Sequence, residues 1–152
     1  MTQAMKKAAP VFEVVPYGHP DFFKRYGDAW GNKETLISYY AENGQYTDKA
    51  SSVVVKGREM ISRFMNVYLR FSPLCTVTFT NVTAAENGFA AEWVWEGTND
   101  GPLRLHGFNC PQDGSAWCID GVSVCTVNSK GQIQTHADYW DSEALLRTWK
   151  VF

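Results

Sequence analysis

The sequence predicts a segregated α+β fold, a cone-shaped curved antiparallel sheet with three N-terminal helices packed on its concave face. Helical periodicity runs to about residue 72, and period-two alternation rich in Thr, Val and Trp takes over from Cys75. The composition agrees, with 152 residues, 45% of them hydrophobic, and 9 Phe, 6 Trp and 7 Tyr. A chain of that length buries a real core as one domain. So many aromatics exclude disorder, and the absence of a Gly period or heptad run excludes collagen and coiled coil. The rings exceed what packing one small core asks for and hint at a lined cavity.

Residues 1–17, with Pro10 and Pro16 and no periodicity, read as a flexible tail, and residues 18–152 as a single domain. Asp21 to Trp30 is a helix, because Phe22, Phe23, Tyr26, Ala29 and Trp30 make one apolar face and Gly31 stops it. Lys33 to Asn43 repeats the pattern with Leu36, Ile37 and Tyr40, and Asn43-Gly44 closes it. Gln45 to Asp48 and Val53 to Val55 are short strands. The clearest helix carries Ile61, Phe64, Met65, Tyr68 and Leu69 on one face and ends at Ser72-Pro73. Four longer strands follow: Cys75 to Ala84, Phe89 to Thr98, Ala116 to Val127 and Gln132 to Trp140. Asn87-Gly88 and Ser129-Lys130-Gly131 are turns between them. Asn99 to Ser115 is a loop or a splayed strand pair. A last helix, Ser142 to Trp149, is capped by Asp141.

Charge narrows the function. Fourteen Lys and Arg against 16 Asp and Glu give a net charge of −2, with no basic stripe for nucleic acid. No apolar run reaches the roughly 18 to 20 residues of a membrane span, and Met1 to Pro10 lacks the apolar stretch of a secretory signal. Cys75, Cys110, Cys118 and Cys125 contain no C-x-x-C, and His19, His106 and His136 are scattered. Free thiols, no metal, no cofactor and a cytoplasmic setting are therefore expected.

Four segments carry a resemblance. They are Tyr39 to Asp48 (YYAENGQYTD), Lys56 to Ile61 (KGREMI), Glu96 to Pro102 (EGTNDGP), and Gly131-Gln132-Ile133 to Tyr139-Trp140-Asp141. In order and spacing they resemble the nuclear transport factor two-like superfamily, in its SnoaL-like and ketosteroid isomerase-like branches, from about residue 20 onward. The resemblance implies the cone fold and a homodimer. For function it implies a range: isomerases, cyclases, dehydratases, an epoxide hydrolase and non-catalytic binding members.

The candidate catalytic residues are Asp48, Asp120, Tyr26, His136 and Asp138. Asp48 matches the carboxylate that is the general base in ketosteroid isomerases; otherwise it is a turn carboxylate at a strand end. Alternation puts Cys118, Asp120, Val122 and Val124 on one strand face. A carboxylate among apolar neighbours is costly to ionise, and kept neutral it donates a hydrogen bond to a developing oxyanion. Counting back from Ile133, Asp120 falls where the family carries that acid; if the face is outward, Asp120 is simply solvated. Tyr26 aligns, across a two-residue gap, with the tyrosine sharing that oxyanion hole, or it is a core residue. His136 and Asp138 share one strand face as an acid/base pair, near where polyketide cyclases and limonene epoxide hydrolase place an Asp, or they face solvent or a dimer partner. The hydrolase's Arg and second Asp match Trp93 and Trp95, so epoxide hydrolysis is not expected. Trp30, Tyr46, Phe64, Trp93, His106 and Trp140 would bind substrate, while Trp93, Trp95 or Tyr139 on an exposed sheet face would drive dimerisation.

The expected function is cofactor-free proton transfer on a small hydrophobic, carbonyl-bearing molecule, steroid-like or polyketide-like. Asp48 or Asp138 would remove a proton while Asp120 and Tyr26 stabilise the enolate. The rivals are a ligand-binding or dimerisation module, and a lyase using His136. They part on whether Asp48, Asp120 and Asp138 converge on one pocket.

Overall fold

A computed structural model describes residues 13–152. The first twelve positions of the expected tail lie outside the described residues. The last five are not loose: Val15 is buried, and the Tyr17 hydroxyl donates to the carbonyls of Ala85 and Gly88 while its ring stacks on Phe89. The packed chain thus starts before residue 18.

Helix α1 (Phe22–Ala29) buries Phe22, Tyr26 and Ala29. Helix α2 (Lys33–Ser38) begins at Asn32, whose side chain accepts the Thr35 amide hydrogen at 3.0 Å. It stops well short of Asn43, because Tyr40 opens strand β1 (Tyr40–Asp48). The Tyr39 carbonyl accepts the Ile133 amide at 2.8 Å, and Tyr40 and Ala41 are both buried. Pairing with the last strand therefore overrides the helical spacing of Leu36, Ile37 and Tyr40. Strand β2 (Val53–Lys56) turns back along β1, and helix α3 (Arg58–Phe71) follows.

The long strands are β3 (Thr76–Ala85), β4 (Gly88–Thr98), β7 (Ala116–Val127) and β8 (Ile133–Trp140). Between β4 and β7, the stretch read as loop or splayed pair holds a small hairpin of β5 (Arg104–Leu105) and β6 (Phe108–Asn109). Helix α4 (Ser142–Thr148) starts where Asp141 accepts the Glu143 amide hydrogen at 2.9 Å. The main sheet runs β2-β1-β8-β7-β4-β3. It is antiparallel except for β1 and β8, which pair in parallel. Register shifts in the β1–β8, β3–β4 and β7–β8 pairs bend it. Four helices pack on it: α1 on β3, α2 on β1 and α3, α3 on β1 and β2, and the C-terminal α4 on β7.

The phase of β7 decides which side chains face inward. Trp117, Ile119, Ser123 and Cys125 are buried, whereas Cys118, Asp120 and Val124 are exposed. That corrects the expectation for Asp120, which lies on the outer face. The inward position opposite Trp93 is Gly121, where a Cβ would meet the Trp93 ring at 2.2 Å. The indole of one strand fills the gap left by its neighbour, an exchange the alternation within β7 alone does not reveal. All four cysteines are free, and only Cys118 is exposed.

Candidate active site

Two buried clusters, one around Phe22, Tyr26 and Ile61 and one around Phe71, Trp117 and Leu145, flank a cavity of about 40 Å³. Its lining includes Trp30, Tyr46, Tyr68, Trp93, Trp95 and Trp140 with two carboxylates, Asp48 and Asp138. The parallel register puts these acids side by side, Asp48 on β1 directly beside Asp138 on β8. Period two then brings Tyr46 next to Asp48, and His136 and Trp140 on either side of Asp138, all toward the helices.

Asp138 is held by side chains alone. Its Oδ1 accepts from the Ser123 hydroxyl at 2.6 Å and lies 2.6 Å from His136 Nε2, and its Oδ2 accepts from the Tyr46 hydroxyl at 2.6 Å. Ser123 in turn accepts from Trp93 Nε1 at 2.9 Å. His136 Nδ1 lies 2.7 Å from the Tyr26 hydroxyl, which is 2.9 Å from that of Tyr40. Burial alone would lower the affinity of His136 for its second proton. The adjacent Asp138 charge, with Cys125, overcomes that and lifts the imidazole from the ordinary 6.5 to about 10. The rise favours the doubly protonated imidazole beside Asp138 at neutral pH. Burial first, then neighbouring hydroxyls, thiol and carboxylate, push the Tyr26 hydroxyl well above the usual tyrosine range, so it stays protonated.

Asp48 is held differently. Its Oδ1 accepts from Trp140 Nε1 at 2.9 Å and from the amides of Ala50 and Ser51 at 3.0 and 3.3 Å, and its Oδ2 accepts from the Tyr68 hydroxyl at 2.6 Å. All four donors are neutral, and among the described residues no cationic side chain forms an ion pair with it. Both acids line the cavity, Asp48 with 0% and Asp138 with 5% of its surface exposed.

Of the candidates, the structure gathers Asp48, Asp138, His136, Trp30, Tyr46, Trp93 and Trp140 at or directly behind the cavity. The others stand apart. Asp120 is on the outer face, as above. Tyr26 is sealed in the core, where it holds His136 instead of facing the cavity. Phe64 packs on Tyr46 and Tyr68 outside the lining. His106 is exposed at the β5–β6 turn, in a left-handed backbone (φ 49°) and 2.8 Å from the Ser142 hydroxyl. Trp93 and Trp95 are buried inward, so they are cavity wall and no part of an exposed face. Ser123, Tyr40 and Tyr68 are the polar residues that the sequence reading missed. The inward phase of β7 could have given Ser123. The apolar face of α3 already contained Tyr68, with nothing to mark its carboxylate partner.

A helix-backed curved sheet closed on a small aromatic cavity with paired acids defines a cone-shaped α+β domain. The SnoaL-like domain model matches residues 23–136, more than half of the chain, and the protein belongs to that family. Solved structures share the fold. One is a hypothetical protein of ketosteroid isomerase-like fold from Catenulispora acidiphila, in complex with trimethylamine, at 21% identity and TM-score 0.70 over 84% of this chain and 90% of that one. Another is a candidate SnoaL-like polyketide cyclase from Jannaschia sp. CCS1, at 20% identity and TM-score 0.70 over 84% and 87%. A third is SalBIII, an epoxide hydrolase/cyclase-like enzyme of pyran ring formation in the polyether salinomycin, at 19% identity and TM-score 0.62 over 80% and 86%. At these identities the likeness is one of fold. No curated protein matches the chain. Among the described residues no helix is long and apolar enough to cross a membrane, and no three His, Cys, Asp or Glu side chains gather as a metal site.

Proposed function

We propose that the protein is a proton-transfer enzyme of isomerase, cyclase or lyase type, working on a compact carbonyl compound with Asp138 as general base. The observation that carries this reading is the buried carboxylate of Asp138, backed by His136 and still in contact with the cavity. Asp138 removes a proton from the carbon next to the carbonyl, giving a carboxylic acid and an enolate, and returns it to the same or a conjugated carbon. No electrons are gained or lost. Once protonated, Asp138 needs the Tyr46 hydroxyl less, and that hydroxyl, on the cavity wall, turns to donate to the enolate oxygen. Tyr46 thus takes the role expected of Asp120. A cavity of about 40 Å³ is far below the roughly 300–1,000 Å³ of a drug-sized site, which argues against a steroid and for a compact group. The trimethylamine bound by one relative of the same fold supports that size.

The test is nuclear magnetic resonance of small cyclic and open-chain ketones in heavy water. Exchange of the hydrogens next to the carbonyl should accelerate with the wild-type protein and fall by about 10²–10⁴ in Asp138→Asn. No acceleration with any ketone overturns the reading. We also propose a cytoplasmic homodimer, formed through the outer sheet face where Tyr139 and Val124 are each 48% exposed. Light scattering should give twice the chain mass, and Tyr139→Lys should reduce it.

A further inference from the structure

The half of the cavity nearest Asp48 has an arrangement that the proton transfer does not use. Tyr68, Trp95 and Trp140 line it with three rings set almost at right angles. The interplanar angles are 89° for Tyr68 on Trp95, 77° for Trp95 on Trp140 and 76° for Tyr68 on Trp140. Their centroids stand 5.4, 5.7 and 6.4 Å apart in the same order, so the rings make the three walls of a corner. Two of the walls point their only polar hydrogen away from a ligand, Tyr68 Oη–H and Trp140 Nε1–H both going to Asp48.

Donation to a carboxylate enriches those rings in electron density, and behind them sits a negative charge with no cationic partner among the described residues. A buried anion without a counter-ion is costly, and hydrogen bonds from neutral donors offset only part of that cost. The missing charge is positive, and aromatic faces are the surface that accepts a poorly hydrated cation. A carbonyl or hydroxyl oxygen finds no free donor on Tyr68 or Trp140, while an ammonium group needs none.

Resting on the proton-transfer reading for the role of Asp138, we propose that the Tyr68–Trp95–Trp140 corner in front of Asp48 holds an alkylammonium group, so that the substrate is a compact carbonyl compound bearing a fixed positive charge. Such a group also draws electron density from the adjacent carbon and lies near the developing enolate. It thereby adds the stabilisation that an outward Asp120 does not supply.

The test uses choline chloride and its uncharged counterpart 3,3-dimethylbutan-1-ol, which has the same shape with carbon in place of nitrogen. Each is titrated into the full-length wild-type protein at constant ionic strength, followed by tryptophan fluorescence and calorimetry. Choline should bind about tenfold or more tighter than the alcohol. In Asp48→Asn that preference should shrink toward unity while the alcohol's affinity holds. Trp140→Leu, which removes one wall and leaves the acid, should also weaken choline. Equal binding of the two probes to the wild type, tighter binding of the alcohol, or no binding of either overturns the proposal, even where a variant fails to fold. Ketone exchange that depends on Asp138 without a preference for choline sinks the cation corner alone. A preference for choline without ketone exchange sinks the proton-transfer reading alone.

Discussion

Asp48 and Asp138 are neighbours on adjacent parallel strands, carry the same side chain and face the same way, yet the chain treats them differently. Asp138 has an ionisable imidazole, His136, on one oxygen and the Tyr46 hydroxyl on the other. Asp48 receives two backbone amides, an indole and a phenol, none of which releases a proton at neutral pH. Both acids line the cavity, and Asp138 is the slightly more exposed of the two. On the proposed function, two carboxylates in one pocket divide into a proton-transfer site and a partner for a cation, and the difference lies in their donors.

Exchanging each acid for its amide probes that split most strongly. Asp138→Asn should lose about 10²–10⁴ in turnover on a reactive ketone. Asp48→Asn should keep turnover at saturation within about tenfold, with its loss in KM for positively charged substrates. Steady-state kinetics on the pair checks this, and equal losses in kcat would erase the distinction.

The two tyrosines come next. Tyr46→Phe and Tyr68→Phe each delete one hydroxyl donor to a buried carboxylate and should cost about 1.5–3 kcal/mol of stability, read from denaturant midpoints. Only Tyr46→Phe should also lower kcat, because the Tyr68 hydroxyl donates to Asp48 and not to the proposed base.

The pH dependence of stability separates the ends more gently. His136 has a folded value near 10 against an ordinary 6.5, so its contribution is fully present below about pH 6.5. It is lost as pH rises through about 10. Wild-type thermal midpoints should fall across that window, and His136→Asn should flatten the fall. The smallest effect belongs to Asp120→Asn, which on the outer face should change stability by less than about 0.5 kcal/mol and leave turnover unchanged. A large loss of turnover there would return the oxyanion role to Asp120.

Much of this was legible in the chain. Helix α3 was readable because all its apolar residues fall on one stripe. The pairings of Tyr46 with Asp48 and of His136 with Asp138 follow from period two. The errors share one cause, contacts that cross between elements. Strand β7 has two plausible faces, and Val122 and Val124 make the wrong one look apolar. Trp93 lying over Gly121 fixes the phase, and that pair lies on different strands. Helix α2 was overrun because Tyr40 fits a helical stripe as well as a strand, until Ile133 pairs with Tyr39. Tyr68 donating to Asp48 joins residues 20 apart from a helix and a strand end, which no local pattern encodes.

The most direct test of the division between the two acids needs no substrate. Nitrogen-15 spectra of the histidine rings, followed from pH 6 to 11, report whether His136 carries both protons against Asp138. The account predicts a doubly protonated His136 ring at pH 7.5 that titrates only near 10. A neutral imidazole at pH 7.5, or a midpoint near 6.5, would contradict it.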